Sequence, residues 1–248
     1  MSFEGKPQKQ TPFADTLIST TGFDTRTVAI RILENHPDKL VREHIMLEDQ
    51  NLEELASSAS EAKELFKRLG ERYGIKVVTM DFVIGKTEEG KPTLFTIVDK
   101  INGESLEKIQ DLPAEAAGEI EELYISLSTH YYNAWEKKEK YWADFQDDQF
   151  MYGTKDAEHD KHVYLVDIGA QFYLPGQSKR IPETNEEMHP LEWMLYNVSE
   201  GLIKSENKFH PKAHFEKARQ NLLKDIDKML EVKPADVWLL KSKSALES

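Results

Sequence analysis

The chain has no cysteine, which excludes disulfide cross-links, thiolate metal sites and thiol nucleophiles. It also has no surplus of positive charge. Against 45 Asp and Glu there are only 32 Lys and Arg, a formal net charge of -13. Broad binding to nucleic acid or to an anionic membrane needs a basic surface, so neither is expected as a partner. No apolar run is long enough to cross a membrane. The opening residues, 1–11, are polar and carry no apolar h-region, so no secretory signal is expected there and the expected location is the cytoplasm. Glycine is not clustered either. Lys86 stands beside Gly85, but the glycine spacing of a phosphate-binding P-loop is absent. No internal repeat is present.

What is there fits a soluble globular chain of 248 residues with ample material for a core. Residues 1–14 read as a polar arm, residues 15–100 as a sheet-rich part with helices, and residues 101–248 as a helix-rich part. The expected class is therefore α+β. Val28, Ile30 and Ile32 alternate with Arg31, which predicts a strand over residues 27–33. Asn35-His36-Pro37 breaks it, and Leu40, Val41, His44 and Ile45 then fall at helical spacing, with Pro37 as a first helical residue. A second helix is expected over residues 52–72, capped by Asn51 and stopped by Gly74. Strands at residues 76–84 and 93–98 flank a hairpin loop. A turn at Asn102-Gly103 precedes a long helix near residues 114–138, whose buried face carries Ile120, Leu123, Leu127 and Tyr131. An acidic, aromatic segment follows at residues 141–150, then a hairpin with a charged loop at residues 154–161. Two helices around residues 191–202 and 215–230 close the chain.

The segment that carries most chemical information is Val163-Tyr164-Leu165-Val166-Asp167-Ile168-Gly169. Four apolar residues bounded by polar ones read as a buried strand, and Gly169 permits a sharp exit. Asp167 would then stand at a strand end, a suitable position for a Mg²⁺ ligand, since that ion takes oxygen donors and few carboxylates. Taken alone, an ordinary strand ending in a turn is the simpler reading.

In this order the segments resemble the protein-kinase-like fold, the group that includes protein kinases and aminoglycoside kinases. The resemblance covers roughly residues 15–235 and implies two lobes, a small antiparallel-sheet lobe and a mostly helical one. Val28-Ala29-Ile30-Arg31 resembles the strand whose lysine holds the ATP phosphates, with Arg31 in the lysine position. Glu43, in Arg42-Glu43-His44-Ile45, resembles the helix glutamate that pairs with it. Residues 94–106 resemble the strand leading into the hinge, which would set the backbone of Val98 and Lys100 against adenine. Asp144, followed five residues later by Gln149, has the spacing of the catalytic aspartate and the metal-binding asparagine. Asp167-Ile168-Gly169 resembles the D-F-G metal motif.

The resemblance thus implies ATP and Mg²⁺ as cofactors, Asp144 acting on an acceptor hydroxyl, and Asp167 with Gln149 holding the metal. The chain departs from the pattern at Arg31, whose guanidinium is wider than an ammonium, at Gln149, and in lacking a glycine-rich loop. Those departures keep a second expectation open: a catalytically inactive pseudokinase that binds a protein partner as a scaffold. A third class, a metal hydrolase, would use the histidine pairs His159/His162 or His210/His214. Neither pair has the adjacent glutamate of a zincin, and surface histidines are the preferred reading.

Overall fold

The computed structural model describes residues 17–24, 27–33, 36–44, 46, 51–87, 89–110, 112–155, 160–166, 172–173, 175, 179–180, 187–209 and 215–248. For residues 17–29, 31–33, 172–173, 179–180 and 187–188 it describes the backbone alone. The expected arm at residues 1–14 lies outside the described residues, as do Asp167, His159, His210 and His214. The protein is mixed α+β, and its chain divides into two compact units.

The first unit takes in residues 1–65, 78–102 and 155–159. Its sheet is built from β1 (Leu17–Asp24), β2 (Thr27–Leu33), β3 (His36–His44), β4 (Met80–Lys86) and β5 (Pro92–Asp99). The strand order is β1-β2-β3-β5-β4, with every neighbouring pair antiparallel. Between β3 and β4 in the chain comes α1 (Leu52–Tyr73), which starts in this unit and ends in the other. Its start is set by Asn51, whose Oδ1 accepts the Glu53 N–H at 2.9 Å. Its end is set by Gly74, at φ 72°, whose N–H reaches the Gly70 carbonyl at 3.0 Å.

One expected element is corrected. Residues 37–44 form β3 instead of the start of a helix. Leu40, Val41 and His44 satisfy a helical spacing, but the backbone of this stretch pairs on both sides, with Arg31 opposite Val41 and Val41 opposite Ile97. A strand that completes a sheet satisfies its N–H and C=O groups along both edges, and that tertiary gain outweighs a weak local pattern. Pro37 is accordingly an exposed strand residue, and Glu43 sits on a strand opposite Phe95. The strand expected from residue 76 starts at Met80.

The second unit takes in residues 66–77, 103–154 and 160–248. It contains β6 (Asn102–Ser105, whose first residue belongs to the other unit), α2 (Ala114–Lys137), β7 (Tyr141–Trp142), β8 (Phe150–Thr154), β9 (His162–Leu165) and β10 (Phe172–Tyr173). A short antiparallel pair follows, β11 (Lys179–Arg180) with β12 (Glu187–Met188). Then come α3 (Pro190–Lys208), α4 (Glu216–Val232) and α5 (Val237–Glu247). The last helix was not expected; Asp236 caps it by accepting the Trp238 and Leu239 N–H groups, each at 3.0 Å.

The core of this unit forms where α2, α3 and α4 bury their apolar stripes. Ile120, Leu127, Leu195, Val198 and Ile226 are fully buried. Each such side chain contributes about 2 kcal/mol of apolar burial. The aromatic stripe of α2 belongs to this core, with Tyr131 wholly buried.

Candidate functional site

The acidic segment at residues 143–149 leaves β7 and enters β8. Its two ends are tied by backbone pairing. At one end Trp142 of β7 pairs with Phe172 of β10, and Tyr141 with Tyr173. At the other, Val166 donates its N–H to the Gln149 carbonyl at 2.9 Å, one step beyond the register that sets Phe150 opposite Leu165. Residues 167–171 run between Val166 and Phe172, so the positions flanking the Asp167 segment are held against the positions flanking the Asp144 segment.

Large apolar side chains anchor the segment from below. Tyr141, Trp142, Ala143, Phe145 and Phe150 are buried. Phe145 meets Tyr124 edge-on at 6.1 Å and Phe150 at 5.7 Å. Gly201 of α3 makes room for this: a Cβ there would lie 3.0 Å from the Phe145 ring and 3.1 Å from the Tyr124 hydroxyl. His130 of α2 accepts the Trp142 N–H on Nε2 at 3.1 Å. Burial, aided by the Arg72 charge, pushes this imidazole down to about 3, so it is neutral and can accept.

Asp144 is half-buried, and its charge together with that of Tyr141 adds to the burial that holds the Tyr131 hydroxyl protonated. Asp147 faces a cavity of about 570 Å³. It is also lined by Leu106, Phe145, Asp148 and one face of α3, including Trp193, Lys204 and Lys208. Burial raises the Asp147 carboxyl, Lys204 and Lys208 oppose the rise, and Asp148 and Glu107 reinforce it. Lys208 is held in place by the carbonyls of Leu106 and Glu107, each at 3.0 Å. Gln149 is buried; its Nε2 donates to Asp148 at 3.4 Å, and its Oε1 has no hydrogen-bond partner among the described residues.

The remaining expected positions lie in the first unit. Arg31 stands in β2 opposite Val41. Glu43 is buried on β3, so the expectation that it stands on a helix is corrected. Val98 is buried, between Leu40 and Met80 in the register of the sheet, and Lys100 commits its N–H to the Asp38 carbonyl at 2.8 Å.

Between them is a residue that the sequence reading passed over. The Asp99 carboxylate accepts from Lys39 at 2.5 Å, from the Thr79 N–H at 2.9 Å and from Lys155 at 3.1 Å. Burial alone would raise this acid, but the bonds from Lys39 and Thr79 outweigh it and hold the carboxyl well below its ordinary range. Nothing in the local sequence marks Asp99, because its donors come from positions far away in the chain.

Among the described residues no group of three or more His, Cys, Asp or Glu is placed to hold a metal, and no helix is long and apolar enough to cross a membrane. No protein-family model matches the chain, and no curated protein matches its sequence.

Proposed function

We propose that the protein is a divergent kinase-like protein whose second unit carries an ATP- and Mg²⁺-dependent phosphotransfer site acting on a hydroxyl. The observation that carries this reading is the double tie around residues 143–149. Trp142–Phe172 and Gln149–Val166 pair the residues that flank residues 143–148 with described residues that flank residues 167–171. Kinase chemistry needs one carboxylate for the acceptor hydroxyl and another for the metal that bridges the β- and γ-phosphates. Phosphoryl transfer is mostly positioning and charge stabilisation, so a fixed frame for two carboxylates is the main requirement.

The order of elements supports the same reading once β3 replaces β2 as the strand before the helix. Strand β3, helix α1, strands β4 and β5, helix α2, acidic loop and hairpin β8–β9 succeed one another as in the kinase-like fold. The counterpart of the kinase helix is then α1, since Glu43 stands on strand β3 and not on a helix.

Asp144 would orient or deprotonate the acceptor, and Asp167 would bind Mg²⁺. When bound, that ion neutralises charge on the transferring phosphoryl oxygens. One observation favours the scaffold reading instead. Gln149, at the second metal position, is longer than the asparagine of the pattern by one methylene and is buried. A pseudokinase binding a protein partner would tolerate that arrangement.

Thermal unfolding with ATP, with and without Mg²⁺, separates the two. A nucleotide present at a hundred times its Kd stabilises the folded state by about 2.7 kcal/mol. The phosphotransfer reading expects a Mg²⁺-dependent shift that Asp167→Ala removes. No shift at millimolar nucleotide, or an equal shift in Asp167→Ala, would sink the metal role and leave the scaffold.

A further inference from the structure

The cavity beside residues 145–148 runs along one face of α3. Trp193, Asn197, Glu200, Lys204 and Lys208 line it, spaced so that they share one side of the helix. From Trp193 to Lys208 that face extends about 22 Å, at about 1.5 Å per residue. The cavity volume, about 570 Å³, lies within the roughly 300–1,000 Å³ that holds small ligands. Such a length with so modest a volume suits a thin, extended molecule better than a compact ring system.

The charge along the lining is unbalanced. Four carboxylates, Glu107, Asp147, Asp148 and Glu200, stand against two ammonium groups, Lys204 and Lys208. Lys208 already donates to the Leu106 and Glu107 carbonyls, each at 3.0 Å. Toward Asp147 both lysines act only through space, and their charges do not offset the burial that raises its carboxyl. Among the described residues Asp147 therefore has no cationic donor in contact, and an ammonium brought by a ligand would supply one. Between the carboxylates the walls are aromatic, with Phe145, Trp193 and Phe209. Rings alternating with carboxylates match methylene chains alternating with ammonium groups, and an indole face attracts a cation directly.

A peptide is the poorer occupant. Extended peptides dock by pairing their main chain with a strand edge, and helical ones by filling an apolar groove. Among the described residues no strand contributes to this lining, the α3 main chain is bonded within its own helix, and the walls are charged.

We propose that this cavity binds a linear aliphatic polyamine. One ammonium meets Asp147, a second is drawn to Glu200, and the methylenes between them lie against Phe145 and Trp193. Asp144 is not part of the lining, and binding requires no nucleotide, so the site is independent of the phosphotransfer reading.

Isothermal titration calorimetry of the full-length protein with spermidine tests this, beside octanediol as an uncharged chain. Saturable binding is expected for spermidine and none for octanediol. Asp147→Asn should weaken binding about tenfold, the scale of one charge-assisted hydrogen bond, and Trp193→Leu should weaken it as well. Glu231→Gln removes an exposed charge on α4 outside the lining and should leave the affinity unchanged. In the wild type the Trp193 indole NMR signal should move as spermidine is added, which keeps the test open if a variant unfolds. No saturation at millimolar spermidine, an equal loss in Glu231→Gln, or an unmoved Trp193 signal overturns the inference. So does a lysine-rich peptide that displaces spermidine at lower concentration, since the cavity would then belong to a protein segment.

Discussion

Asp99 shows how much a single buried carboxylate can matter. Its acid strength is increased in the fold, so it contributes stability at pH values above the ordinary carboxylate value near 4, and loses that contribution as pH falls below it. Asp99→Asn keeps the shape and removes the charge. It should cost about 1–3 kcal/mol at neutral pH, between the roughly 3–5 kcal/mol of a broken buried pair and the roughly 0–1 of an exposed one, because Lys39 and Lys155 are partly exposed. Urea unfolding at neutral pH and near pH 3 checks this, since the difference between the proteins should shrink in acid.

His130 acts in the same direction for another reason. Its folded value is depressed to about 3, so the unfolded chain takes up a proton that the folded chain refuses. Stability therefore falls as pH drops below about 6.5, by up to about 1.4 kcal/mol per pH unit from this one group. His130→Gln should flatten that part of the profile, whatever it does to stability at neutral pH. An unchanged slope would mean that the ring is charged in the fold.

Among the elements, caps and turns are the most exposed to single changes. Asn51→Ala removes the side-chain acceptor at the start of α1 and should cost about 1 kcal/mol, read as a shift in the denaturant midpoint without a change in slope. This cap was legible in the sequence, because Asn51 stands directly before the apolar stripe and needs no distant partner. The same holds for the Gly74 stop and for α2, whose buried positions Ile120, Leu123, Leu127 and Tyr131 follow a 3.6-residue period over many turns. The hairpin β8–β9 was legible from its two apolar runs. Strand β3 was not, because its identity depends on β2 and β5, and nine residues give too few repeats to separate a period of 2 from one of 3.6. The helix α5 was hidden by its shortness and its mixed composition. At the candidate site, the spacing of Asp144 and Gln149 could be read in one dimension, but the inward turn of the Gln149 amide could not.

For the molecule as a whole, the two functional readings diverge at the turnover step. Under the phosphotransfer reading, Asp144→Asn should lower the rate of phosphate transfer by about 10²–10⁴-fold while leaving nucleotide affinity nearly unchanged, because a general base acts on the acceptor. Under the scaffold reading neither protein turns over, and the substitution is silent in a partner-binding assay. A screen of hydroxyl-bearing acceptors with labelled ATP, comparing the wild type with this variant, distinguishes the two. The net charge of -13 disfavours nucleic acid as the acceptor in either case.

The double tie around residues 143–149 also bears on how such a protein can diverge. Its hydrogen bond from Val166 to Gln149 uses backbone groups, and the short pairing of β7 with β10 is likewise a ladder of main-chain atoms. Every amino acid other than proline supplies those atoms. The segment is therefore a cassette whose contents can drift while its frame persists. A lineage could exchange side chains within it, gain or lose an aspartate, and keep folding throughout. A saturation library over residues 144 and 146–148, sorted first for soluble expression and then for phosphate transfer, should show wide tolerance in the first sort and narrow tolerance in the second, whereas Phe145 should tolerate little in either. Proline at Val166, which would remove the donor itself, should fail the first.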